Sequence, residues 1–503
     1  MSLQNLLDEI TASKKFTEEQ LELIKKAGVL SESAHSNQKR RSGEPYFIHC
    51  LEAARTLFEW GLDAETIAAG FLHDVVEDTH IEEKNIEEQF GSEVLFMVRG
   101  VTKIGKLRYR GHIEYAENLR KMILAMGEDV RVILIKLADR LHNVRTLKSL
   151  PPDKQKKIAT ETLEVYAPIA LRLGMGKLKG ELEDLCFSFV YPKEHEALVK
   201  QVALKYKERT RYLEKIKPLI EYELAKDGIT NIMIDARAKH YYSLWRKLRD
   251  NDMDVDVVYD LIALRVLVET IPECYAALGI IHKLWRPLPG RIKDYIALPK
   301  SNGYQSLHTT VFCEDGIITE FQIRTRVMHD EAERGVAAHW AYAESGKPAE
   351  GVKANSAKLA WITTLREWQD HVKEDDFLKS LKIDYFKNRI FVFTPKGDVV
   401  DLPEGSTPLD FAYDIHSDIG NHCMGAKVNG KMVQLSKKLM SGDVVEIITQ
   451  KNKKPVASWL DFVRTSYAKG RIRQALGMTT PPKRKKGATS QTSTKASKGK
   501  QKP

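Results

Sequence analysis

Apolar residues recur at helical spacing through the first 200 residues of this chain; after about residue 225 they fall into strand patterns instead. Ile67 to Leu72 and Val130 to Ala138 follow the three-four-seven rule of a helix with a buried face. The β-branched residues of the second segment would also permit a strand, but its continuation through Asp139 and Asn143 favours a buried helix. No alternating run interrupts residues 1–200, so an all-helical first domain is expected there. Beyond it, Val257 to Val268 contains a buried strand and Ile317 to Arg324 alternates like one. Helical signatures at Tyr275 to Leu284 and His329 to Tyr342 flank them, which makes residues 201–345 an α/β domain. A linker and helix follow over 346–387. Residues 388–450 then read as a hairpin (Arg389 to Thr394, a turn, Val399 to Leu402), a helix opening at Thr407-Pro408, and a last strand Val444 to Thr449. That order suggests a small ubiquitin-like β-grasp unit. A short helical extension (451–478) and a tail (479–503) complete the chain.

The net charge of +10 sits almost wholly in that tail. Residues 479–503 hold eight Lys or Arg and no acid, so the other 478 residues carry only +2. The tail cannot bury enough apolar surface to fold. It is either a solvated solubility tail or a salt-sensitive contact for RNA or the ribosome. The five cysteines are scattered and never spaced C-x-x-C, which argues for buried thiols over a disulfide framework or zinc site. No run approaches the ~20 apolar residues that span a bilayer, and Met1-Ser2-Leu3-Gln4 does not open a signal peptide. A cytoplasmic protein without a membrane partner is expected.

Two constellations carry chemistry. In the helical region, His73-Asp74 is followed by Glu77-Asp78 and flanked by a distant His49 and by Asp139-Arg140-Leu141-His142-Asn143. A hard divalent cation needs several O or N donors from different elements, and His49, His73, Asp74 and Asp139 supply them. On a helix Glu77 and Asp78 would follow His73 and Asp74 by one turn, where acids activate or orient water. Asn143 and Thr146 continue the face of Asp139. Arg40 and Arg41 could grip phosphate or form a solvated basic face. The pattern reads as a metal phosphohydrolase.

In the second region, Lys239, Ser243 and Lys247 are spaced to lie along one helix face after Arg237. Two strand acids, Asp260 and Glu320, could hold Mg²⁺ between them. Phosphoryl transfer needs a metal, surrounding cations and a base for the attacking hydroxyl, the last assigned to Glu320. Tyr304 either offers its ring to a nucleobase or is a core tyrosine with a satisfied hydroxyl.

These motifs make the chain resemble a RelA/SpoT homologue of the long bifunctional type, from about Ala34 to Arg473. The resemblance rests on Ser42-Gly43-Glu44-Pro45-Tyr46, His73 to Thr79, Lys136 to Asn143, Gly290 to Tyr295, Asn302 to His308 and Val336 to Trp340. It implies an HD-type hydrolase domain, a nucleotidyltransferase-like synthetase domain and a TGS domain. His49, His73, Asp74 and Asp139 would bind Mn²⁺, with Glu77 and Asp78 as catalytic acids and Arg40, Arg41, Asn143 and Thr146 as nucleotide contacts. That site would hydrolyse (p)ppGpp to pyrophosphate and GDP or GTP. The synthetase would transfer the β,γ-diphosphate of ATP to the 3′-hydroxyl of GDP or GTP. Arg237 and Arg265 would sandwich adenine, Lys239, Ser243 and Lys247 would meet phosphates, Asp260 and Glu320 would hold Mg²⁺, and Tyr304 would stack on guanine. Nucleotide contacts are also implied for Arg291, Lys293, Lys300, Asn302, His308 and Gln322, and His416 matches a residue that approaches the tRNA 3′ end. The basic Arg291-Ile292-Lys293-Asp294 run resembles bifunctional relatives.

Two positions depart from the family pattern, Leu171 where His is expected and Gly180 where Trp is usual, and both bear on packing between domains. The sequence also ends soon after the TGS-like unit, without the ACT region of longer relatives. Two other readings stand beside the bifunctional one: a hydrolase-dominant enzyme, and a ribosome- or RNA-binding regulator with a weak or vestigial synthetase.

Overall fold

A computed structural model describes residues 2–105, 128–249, 253, 261–300, 302–338 and 389–478. The segment expected as linker and helix (346–387) and the basic tail lie outside the described residues, as does Asp260.

The first region is helical as expected. It runs α1 (Leu3–Ala12), α2 (Glu18–Ala34), α3 (Phe47–Trp60), α4 (Ala64–Leu72), α5 (Val75–Asp78), α6 (Glu83–Gly105), α7 (Val130–Arg145), α8 (Pro152–Glu161), α9 (Ala167–Arg172) and α10 (Gly176–Val190). The ambiguous Val130 segment is helix: Asp129 caps it by accepting from Arg131 N–H at 2.8 Å, and Val132, Ile133, Leu134, Ile135 and Leu137 are all buried. Arg131, Lys136, Arg140 and Asn143 keep a partly exposed side, so the β-branched residues of the buried side are what also suited a strand. All five cysteines are buried free thiols.

Helix α11 (Pro192–Lys226) crosses the expected boundary near residue 200 without a break and leads into a six-stranded sheet. Its elements are β1 (Met233–Ala238), α12 (Tyr241–Arg249), β2 (Ile262–Val268), α13 (Ile271–Leu284), β3 (Arg286–Pro287), β4 (Lys293–Asp294), β5 (Leu307–Phe312), β6 (Ile318–Thr325) and α14 (Arg326–Arg334). The order is β1-β2-β6-β5-β3, with β4 also on β5; β2 and β6 run parallel and the other pairs antiparallel. Because side chains alternate along a strand, Leu264, Val266, Phe321, Ile323 and Val311 form one apolar layer with Ile216, Ile220 and Ile281 of the helices. The opposite face is polar, with Arg265 level with Gln322 on β6 and Asp235 on β1, and His308 also level with Gln322.

The helical region meets this domain along α10 and α14. A Cβ on Gly180 would lie 2.1 Å from His240 Nε2, so only glycine admits that ring, which is held by Asp184 (Nδ1 to Oδ2, 2.8 Å). The departure at Gly180 thus makes room for a contact between domains. At the other departure Leu171 is exposed, and its carbonyl accepts from Asn302 Nδ2 at 3.2 Å. Gly335, at φ 59°, lies against Leu173 so closely that a Cβ would fall 2.1 Å from that carbonyl oxygen.

A second unit is described over residues 389–478. It contains the hairpin β7 (Arg389–Phe393) and β8 (Val399–Pro403), then α15 (Pro408–Ile415), α16 (Ser417–Asn421), β9 (Cys423–Val428), β10 (Lys431–Val433) and β11 (Val445–Thr449). A parallel bridge between Phe393 and Val444 joins the hairpin to the β10-β9-β11 sheet. Thr407 and Asp410 form a reciprocal capping box at α15. Asp410 also accepts the N–H groups of Arg464 and Thr465, which fastens the short extension α17 (Trp459–Phe462) and α18 (Ser466–Ala475) to the unit. Among the described residues no helix is long and apolar enough to cross a membrane.

The Gly180 contact sets a sign-changing test. Alanine there adds about 1 kcal/mol of helix propensity, while turning His240 away from Asp184 loses about 1–2 kcal/mol. Gly180→Ala is expected to lower stability in the wild-type chain and to raise it by up to about 1 kcal/mol in a His240→Ala background, read by denaturant unfolding.

Candidate active sites

The helical site is built where α3, α4 and α7 face one another. His49 comes from α3, His73 caps the end of α4, Asp74 follows it, and Asp139 comes from α7. His49 Nε2 lies 3.5 Å from Asp74 Oδ2, 3.3 Å from Asp139 Oδ1 and 3.3 Å from His73 Nε2; His73 Nε2 lies 3.2 Å from Asp74 Oδ2. Ligand atoms of His49, His73 and Asp74 all fall within 4.8 Å of one another, a spacing one cation could bridge. The tautomers suit that role. His73 Nδ1 is 2.8 Å from the Gly70 carbonyl, which only accepts, so the proton is on Nδ1 and Nε2 faces the cluster. His49 Nδ1 lies 2.8 Å from His142 Nδ1, and Arg40 Nη1 reaches the same atom at 3.0 Å. With His142 as the acceptor of both, His49 also turns Nε2 inward. Burial, then His49 and Arg40, push the His142 pKa down to about 3, consistent with a neutral acceptor.

The carboxylates are held ionised. Burial opposes the charge of Asp74, but His73 and His49 outweigh it and hold its carboxyl well below the usual range. Burial likewise opposes Asp139, and Lys136, whose Nζ is 2.6 Å from Oδ2, with His49 reverses it. Burial would lower His73, yet Asp74 raises its pKa to about 9. A bound cation would compete with that proton for the same donors.

Of the residues expected around the cluster, Arg40, Asn143 and Thr146 are joined. Arg40 donates to Thr146 Oγ1 at 3.1 Å and to Asn143 Oδ1, and Asn143 Nδ2 donates to Asp139 Oδ1. Arg41 is exposed beside it. Asp78 lies one turn after Asp74, its N–H bonded to the Asp74 carbonyl at 2.8 Å, and Glu77 and Asp78 are both exposed at the rim. Tyr46, His142 and Lys136 had no individual role in the sequence reading. The signal for them was spacing: Tyr46 precedes His49 by three residues, while Lys136 and His142 bracket Asp139 by three. Tyr46 Oη lies 2.8 Å from both Asp74 Oδ2 and Asp78 Oδ2, so its one proton is shared between a candidate ligand and a candidate acid.

The sheet site lies on the polar face. Glu320 Oε1 is 3.2 Å from His308 Nδ1 and accepts from Gln322 Nε2 at 3.0 Å; His308 Nε2 is 2.8 Å from Tyr304 Oη. A carboxylate only accepts, so His308 carries its proton on Nδ1 and the Tyr304 hydroxyl donates to Nε2. Burial pushes the His308 pKa down. Of the two readings of Tyr304, the satisfied hydroxyl is present, and the ring also faces the Lys300 ammonium at 4.9 Å. Lys300 exposes much of its surface, and its ammonium packs over Tyr295 at 4.5 Å, a contact that by itself favours the charged form. Lost hydration, then Lys293, push its pKa down to about 8. Lys293 stands opposite His308 across β4 and β5, and Arg291 is exposed just before it.

One expectation changes. Lys239 is not on the helix with Ser243 and Lys247. It sits between β1 and α12, where its N–H bonds the Leu261 carbonyl and its own carbonyl accepts from Tyr206 Oη at 2.7 Å; the first turn of α12 starts at the His240 carbonyl. Ser243 and Lys247 do lie one turn apart on α12. Ser243 Oγ is engaged from α10, donating to Glu183 Oε2 at 2.9 Å and accepting from Lys179 Nζ at 3.0 Å. Arg237 is on β1 and Arg265 on β2, on the polar face. His416 is exposed and caps α16 by accepting from Asp418 N–H at 3.2 Å.

Three family patterns match in order: the HD domain over residues 27–176, the region found in RelA / SpoT proteins over 236–347, and the TGS domain over 390–449. The chain is 48% identical over 468 residues to a GTP pyrophosphokinase of Myxococcus xanthus, covering 92% of this chain and 61% of that protein. It is 50% identical over 457 residues to a guanosine-3′,5′-bis(diphosphate) 3′-pyrophosphohydrolase of Aquifex aeolicus (90% and 64%), and 45% over 461 to the bifunctional (p)ppGpp synthase/hydrolase SpoT of Escherichia coli (91% and 65%). The chain belongs to the RelA/SpoT family. It spans under two thirds of the length of these relatives. As a RelA/SpoT homologue with an HD domain, it is expected to hold a divalent metal, and the converging imidazole and carboxylate donors fit one.

The Tyr46 bridge yields a prediction. Tyr46→Phe leaves all four candidate ligands in place but frees Asp74 and Asp78, so the affinity for a divalent ion should fall roughly 10- to 100-fold, read by calorimetric titration of the apo protein.

Proposed function

We propose that the chain is a bifunctional enzyme: a (p)ppGpp 3′-pyrophosphohydrolase at the helical site and a (p)ppGpp synthetase at the sheet site. The observation that carries this reading is that one chain holds both the His49, His73, Asp74, Asp139 cluster and the Glu320–His308–Tyr304 chain. The names of the relatives, which include both activities, agree with it.

For hydrolysis, His49, His73, Asp74 and Asp139 would hold Mn²⁺. Such an ion, when bound, acidifies water and draws charge from phosphoryl oxygens. Arg40, braced by Asn143 and Thr146, grips the nucleotide beside it. Glu77 and Asp78 orient water and take its proton; water oxygen bonds to the phosphorus on O3′, the bond from that phosphorus to O3′ breaks, and a proton goes to O3′. The products are pyrophosphate and GDP or GTP.

For synthesis, Glu320 with Asp260 would hold Mg²⁺. Glu320 takes the proton of the 3′-hydroxyl of GDP or GTP as that oxygen attacks the β-phosphorus of ATP, releasing AMP. The His308 and Gln322 hydrogen bonds fix the carboxylate for that task. Lys300, Lys293, Arg291, Lys239, Ser243 and Lys247 spread positive charge and donors around the phosphates, and little covalent chemistry is asked of the protein. Tyr304 stacks on guanine beside Asn302, and Arg237 and Arg265 flank adenine.

The two activities should separate by substitution. His73→Ala or Asp74→Ala should abolish pyrophosphate release from ppGpp and leave synthesis, while Glu320→Gln should do the reverse, at least about 100-fold in each case. Hydrolysis that survives both His73→Ala and Asp74→Ala would refute the metal assignment. Lys300 adds a pH dependence: its charged form is lost as pH rises through about 8. The kcat/KM of synthesis should decline across that range, and Lys300→Arg should move the decline upward.

A further inference from the structure

The polar face of the sheet contains a brace that the scheme above does not use. Arg265 and Arg324 are both buried, and two guanidinium groups side by side in low dielectric repel each other unless acceptors lie between them. Two residues of α14, one turn apart, supply those acceptors. His329 Nδ1 lies 3.2 Å from Arg265 Nη1 and 2.9 Å from Arg324 Nη2, and Glu333 Oε1 lies 3.5 Å and 3.2 Å from the same two atoms. Guanidinium nitrogens only donate, so His329 accepts through Nδ1, is neutral, and keeps its proton on Nε2. Burial, Arg324 and Arg265 push its pKa down, in agreement. Burial opposes the charge of Glu333, but Arg237, Arg265 and Arg324 lower its pKa.

The brace does not use up the donors it holds. Arg265 Nε and both Nε and Nη1 of Arg324 are buried without a hydrogen-bond partner among the described residues. Arg324 also stands 5.9 Å from the Tyr304 ring. A network serving only to pin α14 to the sheet would leave fewer such atoms, because each buried orphan donor is costly. Uncommitted donors beside a braced, flat cation are what a polar aromatic ligand would complete.

We propose that His329 and Glu333 are positioning residues for the donor nucleotide, fixing the Arg265 guanidinium as the platform on which the adenine of ATP stacks, with Arg324 as its buried support. The inference rests on the reading of Arg265 as an adenine contact. It explains why α14 carries an imidazole and a carboxylate one turn apart on the side facing the sheet. It also gives α14, which packs against α10 of the helical domain, a direct mechanical tie to nucleotide binding.

The test uses the full chain, with initial synthesis rates measured while ATP and GDP are varied separately, and ppGpp hydrolysis as a check on folding. His329→Leu, which removes the acceptor, should raise the KM for ATP roughly tenfold, the scale of one charge-assisted hydrogen bond. The KM for GDP and the hydrolysis rate should stay within about twofold. His329→Asn, which restores an acceptor oxygen, should recover most of the loss. Should His329→Leu lose hydrolysis and thus its fold, Glu333→Gln decides: a selective rise in the KM for ATP supports the brace and an unchanged one overturns it. An ATP KM that rises in Arg265→Ala but not in the α14 variants overturns the proposal alone. An Arg265→Ala variant with normal ATP KM overturns the adenine reading beneath it.

Discussion

Two imidazoles and two carboxylates packed in the middle of a helical domain are a liability, since a buried ion without a partner costs several kcal/mol. Here the charges tolerate burial because each is set against another: Asp74 against His73 and His49, Asp139 against Lys136 and His49. The surrounding structure serves that cluster. Gly70 and His142 fix the tautomers, α7 brings Asp139, Asn143 and Thr146 on one face, and Tyr46 ties the inner carboxylate to the rim. A divalent cation substituting for the protons of this cluster keeps the charge balance and turns the liability into a site.

The sheet domain handles the same problem with opposite sign. Its polar face gathers arginines and a lysine, and the counterweights are Glu320, Glu333 and neutral histidines. The two domains meet beside candidate site residues of the sheet domain. Helix α10 sends Lys179 and Glu183 onto Ser243, and α14 lies against α10 while holding Arg265. Movement of α10 would therefore be felt by a candidate phosphate contact and by the base platform together, which is the kind of shared element that coupling between sites requires.

Much of this was legible in the sequence, for identifiable reasons. The convergence of His49, His73, Asp74 and Asp139 could be anticipated because a metal needs donors from several elements and the motifs around these residues resemble those of a known family. The Val130 segment was harder, since its β-branched residues (Val130, Val132, Ile133, Ile135) suit a strand as well as a helix. Lys239 was misplaced because a spacing of four fits a helix even when the first residue lies before it; the bond to the Leu261 carbonyl that ends the strand is a long-range fact. Tyr46 and His142 were visible as letters in motifs, yet their hydrogen bonds depend on how α3 packs against α5 and α7. The role of Gly180 was beyond any reading of the sequence alone, because the ring it admits comes from His240, sixty residues on.

The central claim is that two sites on one chain run guanosine 3′-pyrophosphorylation in opposite directions. Its most direct test follows one label through both. Wild-type protein is given GDP, Mg²⁺ and ATP labelled at the γ-phosphate; nucleotides are then removed, the purified product is returned with Mn²⁺ alone, and each stage is resolved chromatographically. The account predicts that label enters ppGpp intact and leaves as pyrophosphate. Label released as orthophosphate, or never found in a guanosine tetraphosphate, would contradict it.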